Sequence, residues 1–288
     1  MSTYHPVCRR YFLSLLLALA VAAGFVARAQ ASPIVDTYTF ENGVANTAVT
    51  TVVDSTGTTN GSVITSSPTY STNVPGPTVP QTGQADTLSA YFAGYTYATE
   101  FNSQFLFDTS TNATLEFYFD PIGSVTGEHD IFWTTTGSTD ANRYNIGYWN
   151  GQFFADYRDP SGNLHPLFAT QNNNMFGTIT LNQWNFVALV KQGSTYTAYV
   201  NGATSAAFVD QNSNLPTSAA WTINGRYLES GIGSYAASTT YLDNVLITNQ
   251  ALAPAQFLTS APLPEPVPIA LCAGMLALAL VRRRTPRT

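Results

Sequence analysis

The sequence predicts an all-β fold, a two-sheet antiparallel sandwich of the jelly-roll kind, and three observations carry that expectation. Thr, Ser, Asn and Gly crowd the middle of the chain while aromatic and β-branched residues fill the gaps, as in short strands joined by turns. No stretch outside the two ends keeps a 3.6-residue apolar period, so long helices are not expected there. Turn signals recur at short spacing through a region with no cysteine, which fits many short strands around one large core rather than a disulfide scaffold.

The first element is a targeting segment. Arg9 and Arg10 precede an apolar run from Tyr11 to Val26, and small residues follow in Ala27-Arg28-Ala29-Gln30-Ala31. This is the pattern of a secretory signal peptide over residues 1–31, forming a signal helix before the sandwich, with Ala29 and Ala31 satisfying the small-x-small rule. Cys8 lies before the apolar run instead of closing it, so a lipoprotein reading fails.

Residues 32–260 are the domain. Residues 66–83, rich in Pro, Ser and Thr, read as a long surface loop. In Arg143 to Trp149 the residues Tyr144, Ile146 and Tyr148 share one face, and Asn150-Gly151 supplies a type I′ turn into Gln152 to Arg158. Asp159-Pro160-Ser161-Gly162-Asn163 turns the chain again. Trp184 to Val190 is apolar on both faces, as expected of a central strand, and Lys191-Gln192-Gly193-Ser194 turns it into Thr195 to Val200. Asn201-Gly202 opens another turn, Ala220 to Ile223 and Tyr241 to Ile247 read as strands, and Pro254 to Leu258 as a short helical turn. Trp184 and Trp221 read as core residues.

The last element, residues 261–288, is again a targeting segment. Pro264-Glu265-Pro266 precedes an uncharged run from Val267 to Val281, and Arg282-Arg283-Arg284 follow at once. The run is shorter than the ~20 residues a membrane-spanning helix usually needs. It reads either as a short hydrophobic anchor helped by snorkelling arginines, or as a sorting signal that holds the protein transiently in the inner membrane.

Charge narrows the partners. Between residues 32 and 261 only Arg143, Arg158, Lys191 and Arg226 are basic against sixteen acidic residues, so the domain carries about −12 where the whole chain carries −6. Nucleic acid, which needs a basic surface, is excluded as a partner. Neutral sugars and divalent cations are compatible with it.

Two resemblances follow from these residues. The Trp-led strand Trp184 to Val190, Thr197-Ala198-Tyr199-Val200-Asn201-Gly202, Leu242-Asp243-Asn244-Val245-Leu246-Ile247 and Ala251-Leu252 resemble the laminin-G-like, concanavalin A-like jelly-roll family, as does the opening Tyr38 to Gly43. The tail Pro264-Glu265-Pro266, apolar run and Arg282-Arg283-Arg284 resembles a PEP-CTERM sorting signal of Gram-negative bacteria. The second resemblance implies recognition by exosortase-type sorting machinery and delivery to the cell surface or extracellular matrix. The first implies a structural Ca²⁺ tying the opening strand to the closing strand, with Glu41 and Asp243 as ligands and Asn42 and Asp54 as lesser candidates, carbonyls and waters completing the shell.

Chemistry is less legible than shape. Glu128 and Asp130 occupy the first two places of the Glu-x-Asp-x-(x)-Glu strand of laminarinase-type hydrolases, but Ile131, Phe132 and Trp133 stand where the third carboxylate should fall. A retaining mechanism needs two carboxyl groups ~5 Å apart, one of them a proton donor, so the motif is incomplete and no catalytic residue is assigned. Sugar binding needs aromatic faces beside amides. Trp149, Tyr148, Tyr157 and Trp133, near Asn150 and Asp156, are the candidates, with Trp149 the most exposed because it alternates with the Tyr144/Tyr148 face. The expectation is a non-catalytic, carbohydrate-binding exported domain whose partner is a polysaccharide or cell-surface glycan. A glycan-active hydrolase or lyase and a structural or adhesive surface protein remain the alternatives.

Overall fold

The computed structural model describes residues 34–259, apart from 57–58, 65, 95–98, 136–140, 169–174, 229–230 and 234–237. The described residues fall within one compact unit, 33–262. The two targeting segments, including the signal helix, the C-terminal hydrophobic helix and the sorting residues Pro264, Glu265, Pro266, Arg282, Arg283 and Arg284, lie outside the described residues. Among the described residues no helix is long and apolar enough to cross a membrane.

Among the described residues two antiparallel sheets of nine strands each form the expected sandwich, beside a separate two-stranded ribbon. One sheet is centred on Asn112–Pro121, flanked by Asn185–Gln192 on one side and Thr239–Thr248 on the other. The other is centred on Glu128–Thr135, Arg143–Trp149 and Gln152–Arg158, with Ala220–Ile223 beyond. Hairpins join consecutive strands in both sheets, but Thr239–Thr248 pairs with Asn112–Pro121 and Ser89–Ala93, and Ala220–Ile223 with Glu128–Thr135, so the sandwich is closed by non-local pairing.

The hairpins form where local signals placed them. Asn150 and Gly151 have φ of +49° and +75°, the two left-handed positions of a type I′ turn, and Gln152–Arg158 pairs with Arg143–Trp149 along its full length. Asn201 and Gly202 repeat the device at +49° and +85°. The Asn residues of the resembling motif are structural. Asn185 Oδ1 accepts the Thr180 N–H and the Asn201 amide, while Asn201 Oδ1 accepts the Phe186 N–H, so the two lock the strand entrance to the following turn.

The core lies between the sheets. Leu115, Phe117 and Phe119 from one meet Tyr144, Ile146, Tyr148, Phe153 and Tyr157 from the other, all buried. A second apolar layer covers the outer face of the first sheet, where Leu252, Phe257 and Leu258 pack over Phe186, Ala188, Val190 and Leu246. The chain after the closing strand is therefore built into the fold, through the single 3₁₀ turn Pro254–Gln256.

Two expectations are corrected. The segment 66–83 is not wholly a surface loop, because Thr69–Ser71 pairs with Ser89–Ala93 and Tyr70 and Val79 are buried. Trp184 is only half-buried; it precedes the strand that starts at Asn185, and its indole N–H donates to Asn73 Oδ1 at 3.1 Å. Trp221, by contrast, is in the core.

Candidate functional site

Strand parity decides the fate of the aromatic candidates. Tyr148 alternates with Gly147 and Trp149, faces inward with Tyr144 and Ile146, is fully buried and stacks on His129 with ring centroids 4.5 Å apart. Tyr157 is also buried, and its hydroxyl donates to Asp210 Oδ2 at 2.5 Å. Trp133 is 1% exposed. A register shift between Asp130 and Phe132 puts Trp133 opposite Asn145, and the Arg143 guanidinium lies 3.9 Å from its ring centre. None of these three can stack on a sugar as placed, so the four-residue platform is corrected to Trp149 alone, 44% exposed beside the Asn150-Gly151 turn.

Polar groups lie next to Trp149. Glu128 pairs with it across the ladder, and Glu128 Oε1 accepts the Asn145 amide at 3.0 Å. Asn145 is 2% exposed, with its Oδ1 unsatisfied, and it stands opposite Asp156 on the next strand. Asp156 reaches the Arg143 guanidinium at 4.0 Å. Asp130 is fully buried, opposite Gly147, where an added Cβ would come within 2.0 Å of the His129 carbonyl. Ile131 and Phe132, which follow the two acids, are buried apolar residues.

The cation candidates separate. Asp243 is fully buried on the closing strand, where the ladder with Asn112–Pro121 shifts register between Asp243 and Leu246 and Asn244 takes φ of +49°. That bulge aims Asn244 at Asp86, whose Oδ2 accepts its amide at 2.9 Å. Burial pushes the Asp86 carboxyl up to about 6. Burial also holds Asp243 well above the usual carboxylate range, and the nearby charges of Asp86 and Glu41 add to it. The Asp86 and Asp243 carboxyls also bond to each other, and Asn244 Oδ1 is buried with no hydrogen-bond partner. Sequence reasoning missed Asp86, which stands 157 positions before Asp243 in a loop with no motif around it.

Glu41 sits beside this set, its Oε1 accepting the Thr87 and Leu88 N–H groups and its Oε2 the Thr87 hydroxyl. Asn42 is exposed and its Oδ1 accepts the Tyr70 hydroxyl. Asp54 is spent on its own loop: it accepts from the backbone N–H groups of Thr37, Thr56 and Thr59 and from the Thr56 hydroxyl. Asp54 is therefore a loop organiser. Among the described residues no group of three or more His, Cys, Asp or Glu side chains converges by itself as a metal site. What does come together is the carboxyls of Asp86 and Asp243, with Asn244 bonded to Asp86 and Glu41 adjacent; carboxylate and amide oxygens are the donor types a hard cation takes, with carbonyls and waters for the rest of its shell.

Comparison with known proteins places this geometry in a fold family. No curated protein matches the sequence. Among solved structures, domain 4 of a GH43 extracellular arabinanase from Geobacillus stearothermophilus, in complex with arabinotriose, superposes with a TM-score of 0.55 at 14% identity, covering 78% of this chain and 96% of that one. The receptor-binding domain of botulinum neurotoxin mosaic serotype C/D gives 0.51 at 11% identity, covering 76% of this chain and 48% of that one. The serotype D ligand-binding domain in complex with N-acetylneuraminic acid gives 0.50 at 12%, with the same shares. The chain thus spans about half the length of the toxin domains, and at these identities the likeness is one of fold. The family model of the concanavalin A-like lectin/glucanases superfamily matches residues 92–256. That match runs through the central strands of both sheets and covers more than half of the sequence, and the chain belongs to this superfamily.

Proposed function

We propose that the domain binds neutral carbohydrate without catalysis, and that its two ends export it and sort it to the cell surface or matrix. The observation that carries this reading is Trp149, a large aromatic left 44% exposed beside a polar row of half-buried Glu128, buried Asn145 and half-buried Asp156. An exposed indole offers a flat apolar face to a pyranose ring, and adjacent carboxylates and amides answer its hydroxyls. Support comes from the superfamily and from a fold neighbour whose complex holds the neutral sugar arabinotriose. The signal peptide, the Pro264-Glu265-Pro266 tail and exosortase-type recognition stand on the sequence alone.

A glycan array probed with the full chain tests this. At least one polysaccharide should be retained, and Trp149→Ala should weaken that retention by about tenfold, the usual scale for truncating a central aromatic contact. No retention by the wild-type chain, with or without calcium, would overturn the reading and leave a structural or adhesive role. Release of reducing ends that vanishes in Glu128→Gln would replace it with a hydrolase.

We propose further that Ca²⁺ is held by Asp86, Asp243 and the Asn244 amide oxygen, with Glu41 at its edge. The bound ion would supply positive charge beside two buried acidic side chains. Chelation should then lower the melting temperature, by an amount that grows with the calcium concentration it removes. A melt unchanged by chelator and by Asp86→Asn would strike these residues as ligands.

A further inference from the structure

Trp149 sits at one end of its hairpin, and the other end opens on a cavity of about 300 Å³ between residues 108–111, 191–194 and 210–215. Tyr157, bonded to the cavity residue Asp210, pairs with Tyr144, five positions from Trp149 or roughly 16 Å along the strand. The cavity lies at the lower end of the ~300–1,000 Å³ usual for small-molecule pockets. Its wall mixes apolar surface, to which Leu215 contributes, with the hydrogen-bonding groups of Asp108, Lys191, Tyr196, Asp210 and Asn212.

Lys191 is the anomaly. It continues the core-facing row of Val187 and Leu189, where an apolar residue is the ordinary choice, and it is 3% exposed. Its ammonium donates one hydrogen bond, to the Phe107 carbonyl at 2.5 Å, which leaves two of its three donors uncommitted. An acceptor is left over as well. Asp108 uses Oδ2 for the Ser218 N–H and hydroxyl while Oδ1 is buried without a partner, whereas the Tyr196 hydroxyl is engaged with Tyr144. Asp210, in contrast, is fully engaged by the Asn212 N–H and the Tyr157 hydroxyl. A network that served only the fold would close on itself, because buried polar atoms left open cost stability. This one ends in a cavity with donors and an acceptor to spare.

We propose that the cavity is a second carbohydrate site, which takes one neutral sugar unit at a chain end. Ring hydroxyls both donate and accept, so a vicinal pair answers Asp108 Oδ1 and Lys191 Nζ together. Two carboxylates against one ammonium disfavour an anionic sugar, and the volume disfavours an internal stretch of polymer. The choice of ligand class rests on the glycan-binding reading; the place does not.

Calorimetric titration of the full chain with D-glucose, D-galactose, L-arabinose and D-glucuronate tests the assignment. At least one neutral sugar should bind saturably, and Asp108→Asn and Lys191→Met should each weaken it about tenfold or more, as expected for loss of a hydrogen bond to a charged group. Should Lys191→Met not fold by near-UV circular dichroism, Asp108→Asn and Asn212→Ala carry the same expectation. The site is overturned if no neutral sugar saturates the wild-type chain, if glucuronate is preferred, or if Asp108→Asn binds as the wild type does. Polysaccharide retained on the array with no monosaccharide binding would overturn the cavity alone, whereas the absence of both would overturn the broader reading with it.

Discussion

Trp221→Ala should cost the domain about 3–5 kcal/mol and lower its melting temperature by about 10 °C or more. Trp221 stacks on Phe101 with ring centroids 3.8 Å apart and planes within 6°, and it contacts Tyr38, Phe105 and Phe132 at 5.9–6.2 Å. These partners come from the opening strand, the short strand Thr99–Phe101, the loop after it and Glu128–Thr135, so one indole ties four separate pieces of chain together. Its N–H also reaches the Ser103 hydroxyl at 3.1 Å, which would be left without that donor. Truncation leaves a cavity that stiff strands on all sides cannot collapse. Trp221→Phe, which keeps a stacked ring, should lose much less. A thermal melt decides: an alanine variant within about 2 °C of wild type would show that the seam does not depend on this residue.

The sequence made this aromatic seam legible only in part. Trp221 reads as core because it sits in a short apolar strand, but nothing local says that Phe101 and Tyr38 are its partners. Hairpins were legible for the opposite reason. Asn150-Gly151 and Asn201-Gly202 specify their own backbone conformation, so pairing of the strands either side follows from adjacent residues. Alternation correctly put Tyr144, Ile146 and Tyr148 on one face, and the same alternation argues against placing Tyr148 beside Trp149 in a platform. For Trp133 the parity was hidden, because the register shift after Asp130 cannot be seen in a run of Asp-Ile-Phe-Trp.

The cation set shows the same division. Asp243 and Glu41 stand in motifs, and the structure brings their charges close. Asp86 joins them only because Ser89–Ala93, which follows it, pairs with the closing strand. Long-range pairing of this kind leaves no local trace. The cavity around Lys191 was equally hidden: a lysine followed by Gln-Gly-Ser reads as a turn, and its inward direction depends on the strand extending to Gln192.

Stability should fall steeply with rising pH, and Glu116 should be a principal cause. Glu116 alternates with Leu115 and Phe117, so it faces away from the main core, yet the segment of Leu252, Phe257 and Leu258 covers it completely. Its Oε2 accepts the Leu258 N–H at 2.7 Å and its Oε1 has no partner. Burial pushes its carboxyl up to about 8, with the Leu258 N–H pulling weakly the other way. The folded state thus holds a proton that the unfolded chain releases near pH 4.5. Such a raised value contributes stability that is complete below the unfolded pKa and is lost as pH rises through the folded one. At about 1.4 kcal/mol per unit, the full loss across the shift from ~4.5 to ~8 is on the order of 5 kcal/mol.

Glu116→Gln isolates the effect. The amide keeps the acceptor for Leu258, carries no titrating proton, and should melt with a visibly flatter pH profile between pH 6 and 8, approaching wild type at low pH and exceeding it at high pH. Asp108 is also raised, to about 6, and its share of the slope is largely complete before that window. The same ionisation acts on a defined piece of structure. The Leu258 contact, together with Thr114, whose hydroxyl accepts the Leu252 N–H and donates to the Gln250 carbonyl, holds the last segment of the domain on the sheet. A charged Glu116 must either draw in water or expel that segment, so hydrogen exchange at Leu252 and Leu258 should quicken with pH beyond its intrinsic rise in the wild type and not in Glu116→Gln. Parallel melting profiles for the two proteins from pH 6 to 8 would mean that Glu116 is already ionised in the folded domain, and that the segment is held by its apolar contacts alone.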